Sequence, residues 1–179
     1  TKKESPDAII FTETKLDSSV DDTEFLPAGY FTVRSAQKDR KKRGAQGGGV
    51  LITVKKQLKE LRGFKIVEVT PSENTTESSW LRVKCRGYPD TIIGSFYRRA
   101  KNSSRKQIKE LEKVIEEIYT SEEETNGTML LIGGDFNLGG ITWKEPVSDS
   151  IAGRPYPGIG EELIKMAKRP RLNLSQVVK

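Results

Sequence analysis

The stretch MLLIGGDFNLGGITW, Met129 to Trp143, decides the fold class expected for this chain. It begins with an apolar run that predicts a buried strand, and two glycines then precede Asp135 and Asn137. Successive side chains of a strand point to opposite faces, so Asp135 and Asn137 are expected on one side and Phe136 on the other. A carboxylate beside a carboxamide is suited to orienting one water molecule. An Asx turn that closes a buried strand also explains the same residues.

Further apolar runs predict strands along the rest of the chain, and clear alternation in two of them indicates half-buried strands. The predicted strands cover residues 7–12, 48–54, 64–70, 79–85, 91–97 and 128–133. The first and last are almost wholly apolar, which predicts central strands covered on both faces. A helix is predicted from Arg105 to Tyr119, after a capping box at Ser104 and Gln107, and a weaker helix from Glu161 to Lys168. Many strands with few helices favour a mixed α/β layered sandwich.

Chain length, cysteine content and charge limit the class of protein. A chain of 179 residues is sufficient for one domain, and its single cysteine, Cys85, favours a reducing, intracellular setting. No apolar run is long enough for a membrane helix. The 31 basic and 25 acidic residues give a net charge of +6 without any histidine. The basic residues cluster within 34–43, 98–106 and 165–171, which suits a polyanion such as nucleic acid, although solvated loops give the same pattern.

Two more polar outliers follow apolar runs. Glu13 comes after IIFT, and a carboxylate held at a strand end is a ligand for a hard cation such as magnesium; it can equally be exposed to solvent. Tyr97 closes another predicted strand and is followed by Arg98 and Arg99. A phenol and guanidinium groups donate hydrogen bonds to phosphate oxygens, but a tyrosine at the core edge before a basic loop is the alternative.

Taken in order, PDAIIFTETKLD, GGGVLITVKKQL, SFYRR and LLIGGDFNLGGITW resemble the endonuclease/exonuclease/phosphatase superfamily. In detail they are similar to the endonuclease domain of non-LTR (LINE-type) retrotransposon polyproteins. The resemblance extends over nearly all 179 residues. It implies a single domain, residues 1–179, with the four-layered α/β sandwich of deoxyribonuclease-I-like enzymes.

The resemblance also implies the activity: nicking of DNA with Mg²⁺ or Mn²⁺ as cofactor. Glu13 matches the metal-binding glutamate, and Tyr97 matches the tyrosine that contacts the scissile phosphate. Asp135 matches the aspartate that activates water, and Asn137 the asparagine that supports the transition state. The residues expected to bind nucleic acid are Arg98, Arg99, Lys101, Arg40, Lys41, Lys42 and Arg43. A nuclear site of action and a reverse transcriptase in the same polyprotein follow from the resemblance.

Three departures from the family pattern bear on activity. The family's first strand, with a site asparagine, and its C-terminal Asp-His pair have no counterpart in this sequence, and Arg99 and Ala100 replace a proline pair. We therefore expect an incomplete domain that nicks DNA weakly or not at all, because the members of a catalytic constellation act as a unit. A phosphatase or phosphodiesterase for small or lipid phosphates is the alternative within the superfamily. A non-catalytic nucleic-acid-binding module is the alternative outside it.

Overall fold

The structure is a computed structural model, and it describes most of the chain up to residue 138. The described ranges are 5–16, 19–26, 28–35, 48–71, 77–99, 105–120 and 128–138, together with the helical residues Glu162, Leu163 and Met166. Within them, no helix is both long and apolar enough to cross a membrane.

Seven strands in the described residues form two sheets. The three-stranded sheet has the order β1 (Ala8–Thr12), β3 (Val50–Lys55), β2 (Tyr30–Ser35), with antiparallel neighbours. The four-stranded sheet has the order β4 (Lys65–Val69), β5 (Glu77–Lys84), β6 (Thr91–Tyr97), β7 (Met129–Asp135). Its pairs are antiparallel except β6 and β7, which are parallel.

Three helical segments connect these strands. They are α1 (Asp22–Phe25), a 3-10 helix (Lys56–Glu60) and α2 (Lys106–Thr120). The long helix α2 joins β6 to β7, as a parallel strand pair requires a crossover connection.

Two apolar clusters hold the layers together. Ile52 and Val54 of β3 meet Leu81 and Ile93 of the four-stranded sheet, so one cluster fills the space between the sheets. The other cluster lies on the opposite face of the four-stranded sheet, beneath α2. It contains the buried residues Trp80, Ile92, Phe96, Ile108, Leu111, Val114, Ile115, Ile118, Leu130, Leu163 and Met166. The layer order helix, sheet, sheet confirms the predicted α/β sandwich.

The predicted elements agree with the structure to within two residues at most ends, but the short helix α1 and the 3-10 helix were not predicted. Strand β2 was not predicted, although Phe31 and Val33 alternate with Tyr30 and Thr32 as a half-buried strand requires. The expectation that the first and last strands are central was wrong for the described residues. There β1 and β7 each lie at the edge of a sheet, and Leu131 of β7 is 51% exposed.

Two glycines allow close packing around β6. A side chain at Gly94 would lie 2.3 Å from the ring of Trp80, which packs flat over this position. Gly134 has a φ of 150°, and a Cβ there would lie 1.8 Å from the carbonyl oxygen of Phe96. A side chain at residue 134 would therefore force β7 away from β6 and disturb the registration of Asp135 with Tyr97.

We expect Gly134→Ala to lower the free energy of unfolding by more than about 3 kcal/mol, since backbone atoms cannot move aside as a flexible side chain does. Gly87→Ala is the matched control. Gly87 also has a positive φ, 88°, but nothing lies within 4 Å of its Cβ position. This control should cost only the conformational strain, about 1 kcal/mol. Denaturant unfolding measures both, and equal losses would contradict the steric explanation.

Candidate functional site

A row of three polar side chains crosses β5, β6 and β7 at one end of the four-stranded sheet. Glu77 pairs with Tyr97 in the β5–β6 register, and Asp135 pairs with Tyr97 in the β6–β7 register. Directly paired residues share one face of a sheet. Ser95, two residues before Tyr97, donates a hydrogen bond of 3.2 Å to the Phe11 carbonyl of the other sheet. The row therefore lies on the face that looks onto the three-stranded sheet.

Glu13 approaches this row from the three-stranded sheet. It directly follows β1, and the Tyr97 hydroxyl donates a short hydrogen bond to its carboxylate. Glu13 has a φ of 53°, in the left-handed region that few residues other than glycine adopt. The next amide, that of Thr14, donates to the Gly49 carbonyl at 3.2 Å. Such neighbouring contacts hold the unfavourable conformation, which is common at functional sites.

The turn after β7 brings Asn137 into the same region. The Asn137 backbone N–H donates to Oδ1 of Asp135 at 2.8 Å, and the Asn137 side-chain amide donates to the Arg98 carbonyl at 2.6 Å. Asn137 is also left-handed, with a φ of 49°. The Asx turn predicted from the sequence as an alternative is therefore present, and it lies beside Tyr97. The four positions 13, 97, 135 and 137 are thus joined by direct hydrogen bonds and strand pairing.

Arg98 lies inside the protein rather than on its surface. Its side chain is fully buried, and its guanidinium donates to the Asn137 carbonyl at 3.2 Å. Its backbone N–H donates to the Asp135 carbonyl at 2.9 Å. A buried guanidinium does not reach a DNA backbone at the surface, so the predicted DNA contact does not fit this placement. Arg98 instead braces the turn that carries Asp135 and Asn137.

Arg99 and Glu77 form an ion pair at the edge of the row. The Arg99 Nε donates to Glu77 Oε1 at 2.9 Å, while the Arg99 side chain stays 48% exposed and the Glu77 side chain only 15% exposed. Among the predicted nucleic-acid contacts within the described residues, Arg99 is thus the one whose side chain lies at the surface of this site. Lys101, Arg40, Lys41, Lys42 and Arg43 lie outside the described residues.

Glu77 is a site residue that the sequence did not predict, because the strand was expected to begin at residue 79. The signal that could have revealed it is the two-residue period through Glu77, Ser79, Leu81 and Val83, which places the glutamate on the inter-sheet face. Its role could not be read from that pattern, because both of its partners come from distant parts of the chain.

The arrangement can accept a hard cation in the way that Mg²⁺ is usually bound. In the described ranges, no group of three or more acidic, histidine or cysteine side chains is close enough to enclose a metal. Mg²⁺ rarely needs such a cage, since one or two carboxylates with waters and substrate phosphates complete its octahedron. Glu13, Asp135 and Glu77 all act electrostatically on the Tyr97 hydroxyl. Both oxygens of Glu77 accept hydrogen bonds from Gly49 and Arg99, so Glu13 and Asp135 are the carboxylates that fit this role better.

The acidic surroundings change the chemistry of Tyr97. The hydrogen bond to Glu13, burial, and the charges of Glu13, Asp135 and Glu77 raise its pKa from 10.0 to about 12. The phenol is therefore neutral and keeps its proton as a donor throughout the physiological pH range. The unfolded chain releases this proton near pH 10 and the folded protein near pH 12. The stabilisation is thus complete below pH 10 and is lost as the pH rises towards 12.

No family model matches the chain, and no curated protein matches it. Among solved structures, a humanized D. rerio TDP2 with 14 mutations is similar over 74% of this chain, at 16% identity and a TM-score of 0.47. TDP2 from C. elegans is similar over 74% of the chain, at 17% identity and a TM-score of 0.45. ANGEL2, described as a 2',3'-cyclic phosphatase, is similar over 87%, at 13% identity and a TM-score of 0.47.

The chain spans 50%, 38% and 51% of the lengths of these three structures, respectively. At such low identity and similarity scores, none of the three assigns a residue or a reaction to this chain. The placement of the site depends on the strand pairings and hydrogen bonds of the chain itself.

Ultraviolet titration of the five tyrosines tests the environment of Tyr97. We expect a component that ionises near pH 12, and this late component to be missing in Tyr97→Phe. Glu13→Gln should return the late component towards pH 10, because it removes the charge and weakens the hydrogen-bond acceptor. A wild-type titration without this late component, while circular dichroism still reports folding, would contradict this geometry.

Proposed function

We propose that the chain is the metal-dependent endonuclease part of a larger protein and that it hydrolyses phosphodiester bonds in DNA. The observation that carries the proposal is the meeting of Glu13, Tyr97, Asp135 and Asn137 at one end of the two sheets. These residues come from three separate regions of the sequence, and they supply the carboxylate, phenol and amide groups that phosphodiester hydrolysis uses. Their order along the chain also follows the motifs of the endonuclease/exonuclease/phosphatase superfamily.

Each residue has a distinct role in the proposed reaction. The Asn137 backbone N–H holds the Asp135 carboxylate. Asp135 accepts a proton from the attacking water, and the water oxygen bonds to phosphorus as one P–O ester bond breaks. The leaving oxygen takes its proton from solvent. Tyr97 remains neutral, and its single hydroxyl proton, which the Glu13 carboxylate accepts in the structure, would be donated to a phosphate oxygen when the substrate binds. Glu13 would hold the Mg²⁺ or Mn²⁺, with Asp135 close by, and the bound cation supplies Lewis-acid stabilisation of the phosphate charge.

DNA is the substrate that the charge distribution favours. The net charge of +6 is concentrated in basic clusters, and one of them directly follows Tyr97 in the sequence. Arg99 remains half-exposed beside the site, where a phosphate can approach it. A small soluble phosphate would not need several basic clusters. This is why we favour a nuclease over the phosphatase alternative.

The particular class that we propose is the endonuclease of a non-LTR retrotransposon. This assignment is supported by the sequence motifs TET-L, GGGVLI-V, YR and GDFN, the last of which is followed by Trp143. In that setting the chain would be part of a polyprotein with a reverse transcriptase and would nick target DNA in the nucleus. A single cysteine, Cys85, suits such an intracellular setting.

Asp135→Ala tests catalysis separately from binding. We expect nicking of supercoiled plasmid in Mg²⁺ to fall by at least about 100-fold, because Asp135 takes part in the proton transfer. DNA affinity should change by less than about threefold. The assay uses the 179-residue chain, for which we expect weak or no nicking, and any longer reading frame that contains it.

The matched control for this experiment is Asp90→Asn, at the opposite end of β6, where Asp90 pairs with Lys84 at 3.2 Å. The control should cut as the wild type does. Unchanged nicking by Asp135→Ala, or cleavage of only small phosphate esters by the wild type, would refute the proposal. DNA binding without any cleavage by the longer frame would favour the non-catalytic module.

Substitutions in the basic run from Arg40 to Arg43 test whether the partner is a polyanion. Changing Arg40, Lys41, Lys42 and Arg43 to Gln should weaken DNA binding irrespective of sequence. It should also flatten the plot of log K against log salt by up to about 4 units, close to one unit for each lost phosphate contact. Lys109→Gln with Lys113→Gln, on the exposed face of α2, is the control and should leave the slope nearly unchanged. An unaltered slope in the fourfold variant would contradict the expected interface.

A further inference from the structure

We propose that Glu77 is a positioning residue of this site, which links the backbone that holds Glu13 to the segment that carries Tyr97. The inference rests on the proposed function for its catalytic consequence. The contacts themselves are independent of any reaction. Glu77 lies at the first position of β5, directly opposite Tyr97, and its side chain is only 15% exposed.

The two carboxylate oxygens of Glu77 have different partners from different parts of the fold. Oε2 accepts the Gly49 backbone N–H at 3.0 Å, immediately before β3 begins. Oε1 accepts the Arg99 Nε at 2.9 Å, two residues after the end of β6. One side chain therefore connects the two sheets and the loop that follows Tyr97. A carboxylate with both oxygens engaged and little exposure is held in one orientation.

These contacts close a ring through the candidate site. Tyr97 donates to Glu13, the amide after Glu13 donates to the Gly49 carbonyl, and the Gly49 N–H donates to Glu77. Glu77 then accepts a hydrogen bond from Arg99, and the backbone between Arg99 and Tyr97 closes the ring. We call these five residues, Glu13, Tyr97, Gly49, Glu77 and Arg99, the contact ring.

Gly49 is the position where the contact ring depends most on one residue type. Its φ is 91°, and a Cβ there would lie 2.6 Å from the Thr14 hydroxyl oxygen. The backbone at residue 49 therefore has a conformation that favours glycine. The Gly49 carbonyl accepts from the amide after Glu13, and the Gly49 N–H donates to Glu77. A carboxylate that fixes the Gly49 N–H consequently fixes the strained backbone of Glu13, whose φ is 53°.

Removal of the Glu77 carboxylate would release both partners together. The Gly49 N–H would lose its acceptor, and the Arg99 guanidinium would lose the charge that orients it beside the site. Small displacements of catalytic groups reduce turnover strongly while substrate binding through distant basic residues is maintained. Glu77 is therefore expected to affect kcat far more than KM. A residue that contributed only to stability would leave both constants of the folded protein unchanged.

The test compares Glu77→Ala, Glu77→Gln and Arg99→Ala with the Asp90→Asn control. Glu77→Ala should make the Gly49 amide exchange with solvent about 10-fold faster, since one hydrogen bond to a buried carboxylate is lost. Glu77→Gln keeps an oxygen acceptor for Gly49, and Arg99→Ala leaves Glu77 itself in place. Both should therefore preserve the protection of Gly49. Amide exchange by NMR on the 179-residue chain needs no enzymatic activity.

Nicking kinetics complete the test in whichever length of the chain cuts DNA. We expect Glu77→Ala to reduce kcat by about 10- to 100-fold with little change in KM, and Glu77→Gln to recover part of the loss. Wild-type exchange of Gly49 in Glu77→Ala, or a change confined to KM, would overturn the proposal. Loss of Gly49 protection with no DNA cleavage by any length of the wild-type chain would refute the nuclease function but confirm the structural link.

Discussion

The hydrogen bond from the Tyr97 hydroxyl to the Glu13 carboxylate joins the two sheets where the candidate site lies. Glu13 arrives from the end of β1 and Tyr97 from the end of β6, so the bond exists only when the sheets are packed face to face. The apolar cluster between the sheets and the Ser95 hydrogen bond to the Phe11 carbonyl set that packing. Fold stability and site geometry therefore depend on the same interface.

Parallel pairing of β6 and β7 provides the second constraint. It sets Asp135 beside Tyr97, and it tolerates no side chain at Gly134, where the Phe96 carbonyl comes too close. Glu13 and Asn137 both have positive φ values, although neither is glycine. Asparagine adopts this left-handed conformation readily, whereas glutamate does so rarely, so the conformational cost lies at Glu13, where the neighbouring contacts hold the backbone.

The charged side chains around the candidate site differ in how far they are buried. Glu13, Asp135 and Glu77 all raise the pKa of Tyr97, so the charge around its hydroxyl is predominantly negative. Arg98 is buried and supports the turn at Asn137, while Arg99 is half-exposed and paired with Glu77. Two adjacent arginines with the same chemistry thus have different environments. The direction of each side chain decides which one a substrate can meet.

The sequence by itself determined the strand pattern, the long helix and the residue types of the site, because apolar periodicity and motif order are local properties of the chain. It missed β2, placed at the centre two strands, β1 and β7, that lie at sheet edges in the described residues, and named the buried Arg98 as a nucleic-acid contact. Only the tertiary structure decided the contacts of Glu77, since Gly49 and Arg99 are separated from it by 28 and 22 residues. Register and sheet packing are non-local, and no pattern within one segment encodes them.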